Sequence, residues 1–154
     1  MPDERIAKIE QSLKDIEYRL NTHKHSGADL TQKIPQRRYF SLRLVANTTD
    51  TAVASAVGGD FSVPFSGYVD SIEATVDTAG TTGTTDVDVN INGSSIMTSK
   101  LNIDSTEKTT RTAATRPVIK SFAFTAGDIF TFDVDAVSTT AAQGLTIHLT
   151  LIEA

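Results

Sequence analysis

Leu145-Thr146-Ile147-His148-Leu149-Thr150-Leu151 alternates aliphatic and polar residues without a break. Successive side chains of an extended chain point to opposite faces, so this alternation predicts a strand with one face in a core and the other in water. The same grammar recurs in Phe40, Leu42 and Leu44 against Ser41 and Arg43, and in Ile72, Ala74 and Val76 against Ser71, Glu73, Thr75 and Asp77. It recurs again in Val87, Val89 and Ile91 against Asp86, Asp88 and Asn90, and in Phe130, Phe132 and Val134 against Thr131, Asp133 and Asp135. Residues 61–65, 97–103 and 118–124 are weaker candidates, and Pro64, which cannot donate to a ladder, demotes the first to an edge or a bulge. Turn signals separate these segments at Gly58-Gly59, Ser66-Gly67, residues 79–83, Asn92-Gly93, Ala126-Gly127-Asp128 and Gln143-Gly144. About eight strands with no helical pattern among them predict a mostly β, antiparallel β-sandwich, most simply a jelly roll. The phenylalanines at 122, 124, 130 and 132 are assigned to its core, and residues 81–85 and 137–143 read as mobile, small-residue tips.

The N-terminal residues follow a different rule. From Pro2 to Thr22 the chain is charged and helical in pattern, and with Ile6 at heptad position a, Ile6, Leu13 and Leu20 fall on a while Ile9, Ile16 and His23 fall on d. Isoleucine at both core positions of the first heptad favours three strands, and Arg5 at g can reach Glu10 at e of a neighbouring helix. Acid-before-base pairs Glu4/Lys8, Glu10/Lys14 and Asp15/Arg19 support the helix itself. The expectation is a parallel trimeric coiled coil, with Arg5, Ile6, Ile9, Glu10, Leu13, Ile16 and Leu20 as the trimerisation residues. The alternative is a lone amphipathic helix folded onto the rest of the chain, which normally needs a wider apolar face.

Three segments follow: a coiled-coil stalk at 1–22, a neck at 23–38 marked by Ser26-Gly27 and Pro35, and a β-sandwich head at 39–154. A chain of 154 residues with a net charge of -5 and a pI of about 5.1 lacks the attraction that drives nucleic-acid binding. The absence of cysteine excludes disulfides, thiolate catalysis and Cys-based zinc sites. No apolar run is long enough to insert in a membrane, and no signal-peptide pattern is visible, so synthesis in a cytosol is expected.

Candidate chemistry centres on His23 and His25. On extended backbone, residues two apart share a face, and three chains around one axis would bring six imidazoles together. Imidazole suits iron, nickel, copper and zinc alike. The alternatives are a solvated pair of histidines, or His23 as a polar layer that fixes helix register. Asp86 with Asp88, and Asp133 with Asp135, each share a strand face and could offer oxygen ligands to calcium, although a solvated strand face is the far simpler explanation. Glu73 and Asp77 are the one conceivable glycosidase pair. His148 reads as a surface or subunit-contact residue, and Tyr39 and Tyr68 alone make a poor stacking platform for sugars. No nucleophile triad, phosphate loop or zinc-protease motif appears, so no enzymatic activity is expected.

A short coiled coil followed by His23-Lys24-His25-Ser26-Gly27 and Thr31-Gln32-Lys33-Ile34 resembles the neck of tailed-bacteriophage fibre and receptor-binding proteins. The segments Phe61-Ser62-Val63-Pro64-Phe65-Ser66-Gly67, 86–93 and Gly127-Asp128-Ile129-Phe130-Thr131-Phe132 are similar to the small heads that such fibres carry. The resemblance implies a virion protein made in the host cytoplasm, with one divalent transition metal (iron, nickel or zinc) held per trimer by His23 and His25. It also implies a virion attachment protein on the N-terminal side and a host-surface receptor, most simply a glycan, at the head. Candidate receptor-binding residues are Thr81, Thr82, Thr84, Lys108 and Arg111, on loops that a rigid β scaffold can present. The rival readings are a connector fibre whose heads bind another virion protein, and a small polysaccharide depolymerase.

Overall fold

The computed structural model describes Glu4–Thr22 and residues 35–154, which belong to two separate compact units. The first unit contributes one helix, α1 (Glu4–Thr22). No glycine or proline interrupts it, and Gln11 donates to Asp15 one turn on at 3.4 Å.

The second unit is built from eleven strands. The first four are β1 (Gln36–Arg43), β2 (Phe61–Ser62), β3 (Gly67–Thr75) and β4 (Thr85–Ile91). A group of short strands follows: β5 (Ser94–Ser95), β6 (Met97–Ser99), β7 (Leu101–Ile103), β8 (Val118–Ile119) and β9 (Ala123–Phe124). The chain closes with β10 (Ile129–Ala136) and β11 (Thr146–Glu153). One sheet has the order β1-β11-β3-β9 and the other β2-β10-β4-β5, with β7 also on β4; β6 and β8 form a small separate ribbon. All pairings are antiparallel. They nest: β1 pairs with β11, β2 with β10, β3 with β9 and β4 with β7.

The inward residues of both sheets merge into one core, where Ile72, Ala74, Ile147, Leu149 and Leu151 of the first sheet meet Val87, Val89, Phe130, Phe132 and Val134 of the second. This is the two-sheet arrangement of a β-sandwich. A run of aromatic contacts stitches the sheets together: Phe40 to Phe61 at 5.1 Å, Phe61 to Phe130 at 5.9 Å, Phe130 to Phe124 at 5.5 Å and Phe124 to Phe65 at 5.8 Å. Asn92 and Gly93, at φ 50° and 76°, make the tight turn between β4 and β5, the backbone form that Asn-Gly favours in two-residue hairpins.

The five alternating segments all appear as strands, and β2 lies at a sheet edge ahead of Pro64. Strand β1 starts at Gln36, ahead of the alternation that begins at Phe40, because the backbone of 36–38 goes on pairing with 151–153 of β11, and Arg38 donates to Glu153 at 2.6 Å across that end. The segment 97–103 divides at Lys100, whose ammonium bonds Asp135 at 2.8 Å. The segment 118–124 divides into β8 and β9, which join different sheets. Phe122 is not a core residue: it is 53% exposed and lies against the Tyr68 ring, 6.0 Å away.

Candidate functional site

The helix carries an exposed apolar stripe. Ile6, Ile9, Leu13 and Ile16 are 56%, 60%, 55% and 54% exposed. Burying such a side chain from full exposure contributes about 1.5–3 kcal/mol, of which roughly half remains to be gained at each of these positions. Glu10 beside them is exposed. His23 and His25, and the side chains of Arg5 and Leu20, lie outside the described residues.

Three loops singled out in the sequence meet at one end of the head. β1 runs from Gln36, opposite Glu153, to Arg43, opposite Thr146, and Thr75 of β3 is also paired with Thr146. Loops leaving Thr75, Ile103 and Ala136 therefore all lie at the end away from Gln36. There they interlock. Thr81 and Thr140 bridge, the Thr139 N–H donates to the Thr82 carbonyl at 2.8 Å, and the Thr82 N–H donates to the Ser105 hydroxyl at 2.9 Å. The Thr106 N–H donates to the Gly80 carbonyl at 2.8 Å, and a Cβ on Gly80 would stand 2.6 Å from the Ser138 hydroxyl. These tips are thus tied to one another. Thr82, at φ 61°, holds a left-handed turn at the apex, with Thr81 and Thr82 exposed and Thr84 half-buried below. Lys108 belongs to the same end through its carbonyl, which accepts the Val76 N–H at 3.0 Å.

Arg111 sits elsewhere, on the outer face of the β1-β11-β3-β9 sheet, where its Nε donates to Glu73 at 2.8 Å. That hydrogen bond first, and the Glu73 charge second, raise the Arg111 pKa above its ordinary value. A cleft of about 480 Å³ lies beside the pair. His148 is on its floor, register partner of Ser41 on one side and Glu73 on the other. Its Nδ1 is 3.3 Å from the Ser41 hydroxyl and its Nε2 3.0 Å from the Thr75 hydroxyl, which fixes the ring. Tyr39, 72% exposed, borders this cleft.

A second cleft, of about 460 Å³, shares Ser71, Glu73 and Arg111 with the first and opens over the edge of β3. On that edge β9 pairs with Gly67 and Tyr68, and the Val69 N–H donates to the Phe122 carbonyl. The 108–110 segment takes over from Ala74, whose carbonyl accepts the Thr110 N–H. Residues 70–73 lie between the two without a strand alongside. Backbone groups repeat their direction every second residue, so the N–H and C=O of Ile72 face this gap as those of Ala74 face Thr110. Arg116, Pro117, Val118 and Ile119 form the opposite wall.

The remaining sequence candidates are not assembled into a site. Glu73 and Asp77 bond different arginines, Arg111 and Arg43, and do not line one cleft. Asp88 and Asp133 are register partners on neighbouring strands, but each carboxylate has protein donors. Asp86 accepts from Asn102, Asp88 from the Ser95 hydroxyl, Asp133 from Asn90 and the Ala56 N–H, and Asp135 from Lys100. Among the described residues, no group of three or more His, Cys, Asp or Glu is placed to hold a metal ion. Sequence reasoning missed the cleft, whose one local sign was an aromatic, Tyr39, at an outward position of an alternating strand. No family model matches the chain, and comparisons with curated proteins and with solved structures found no match.

Proposed function

We propose that the chain is a homotrimeric virion fibre: a parallel coiled coil presents three jelly-roll heads, which bind a host-surface receptor, and the protein adheres instead of catalysing. The observation that carries this reading is the apolar seam of α1, left more than half exposed at Ile6, Ile9, Leu13 and Ile16. A strict a/d stripe of this kind is buried by copies of itself, and isoleucine at a and d favours three. The nested pairing of β1 with β11, β2 with β10, β3 with β9 and β4 with β7 supports the jelly roll.

Receptor contact is assigned to the interlocked loops around Thr81, Thr82 and Thr140, at the end of the head away from the point where the chain leads in from the neck. Loops on a rigid sandwich carry recognition, and three weak contacts on one trimer gain by effective concentration. His23 and His25 are assigned one divalent transition metal per trimer; metal analysis of protein purified without an affinity column should find one ion per three chains, and acid should release it. A panel of substitutions at Thr81, Thr82, Thr84 and Lys108, assayed for binding of the purified trimer to host cells, tests the function. Weaker binding with the trimer intact is expected; unchanged binding throughout would favour a connector fibre whose heads engage another virion protein.

A further inference from the structure

The clefts on the outer sheet face have a chemistry of their own, distinct from the loop end. We propose that the joined clefts over Ser71 and Glu73 bind a neutral oligosaccharide, with Tyr39 as the stacking platform and Glu73, Arg111 and the Ile72 backbone as hydrogen-bonding groups. The proposal takes its biological setting from the adhesion reading above, but it names a separate surface and a ligand class.

Three observations select the ligand. The first is charge. Glu73 is bonded to Arg111 and Asp70 lies 3.5 Å from Arg37, so both acids of the lining are already matched by bases and the clefts offer no open carboxylate to a cation, while Arg116 adds one further base that the acidic members of the panel probe. The second is the density of mixed donors and acceptors. Hydroxyls of Ser71, Thr75, Thr109 and Thr150 border the first cleft, and each can both donate and accept. The open edge of β3 adds a backbone donor and acceptor at Ile72. A polyol presents the same mixture, whereas a purely apolar ligand would leave these groups unpaired. The third is Tyr39: the scarcity of aromatics in the sequence argues against a stacking platform, but the fold sets this one ring, 72% exposed, beside a cleft lined by hydroxyls, where a single platform has partners for a sugar's rim. An aromatic face covers the C–H side of a sugar ring while hydroxyls at its rim find partners. The two clefts meet at Ser71, Glu73 and Arg111, so a chain of linked sugar rings can occupy both.

The test uses the intact trimer and an immobilised panel of neutral hexose and N-acetylhexosamine oligosaccharides, with uronate- and phosphate-bearing counterparts alongside. Binding to neutral members is expected, about tenfold weaker in Tyr39→Ala and again in Arg111→Ala, with trimer mass unchanged. Three results would overturn the proposal: binding to the acidic members alone, no binding to any member, or neutral binding that both variants leave unchanged. Loss of the trimer in Tyr39→Ala would also overturn it, because the face would then be an interface between chains. Failure of the fibre reading would show separately, as a wild-type chain that is not trimeric.

Discussion

Gly67 shows how closely the two central strands of the first sheet approach. A Cβ at this position would land on the Ile152 carbonyl, and backbone cannot swing aside as a flexible side chain can. Gly67→Ala should cost about 1–3 kcal/mol of stability in a urea titration, from forced displacement in a closed ladder. Asp128 makes a different kind of prediction. Its carboxylate accepts the Thr125 N–H at 2.7 Å and the Asn92 side-chain amide at 2.8 Å, and these bonds, the backbone one foremost, hold its pKa below the ordinary value of 3.8. A depressed carboxylate pKa adds stability that is fully present above the unfolded value and is lost as pH falls through the folded one. Asp128→Asn should therefore melt below wild type at neutral pH, and the gap should close below about pH 3.8; a gap that stays constant across that range would show that the charge contributes nothing.

The elements differ in how plainly the sequence announces them. β1, β3, β4, β10 and β11 were legible because each has one face in the core and one in water, so burial imprints a two-residue period. The short strands β5 to β9 carry few ladder pairs each, and their sheet membership depends on partners distant in sequence. No local pattern therefore separates β8 from β9. The loop cluster was legible as loops but not as a cluster, since its shared location follows from strand order. The cleft was illegible for the same reason: Tyr39, Glu73, Arg111 and His148 come from four distant segments that only the register joins. Helix α1 is the element whose pattern speaks for itself. In the proposed trimer, replacing Ile9 with Asp would set three carboxylates in one seam layer, so the variant should sediment as a monomer while its head keeps its β circular dichroism; a trimeric Ile9→Asp chain would mean that the seam does not hold the chains together.

At the scale of the whole molecule, the head and the stalk draw stability from different sources. The head has a conventional core, in which Phe130 is fully buried between Phe61 and Phe124. Phe130→Ala should destabilise it by about 3–5 kcal/mol, measured by denaturant unfolding of the head signal. A helix of 19 residues is near the lower limit for stability alone, and its apolar stripe is more than half exposed at Ile6, Ile9, Leu13 and Ile16. The proposed metal at the neck, the proposed presentation of loops away from a particle and the proposed multiplied weak contacts all presuppose three chains on one axis. The solution mass of the full chain therefore tests the account most directly. Sedimentation equilibrium at micromolar concentration should give a particle of three 16.5 kDa chains; a monomer or a dimer under those conditions would contradict it.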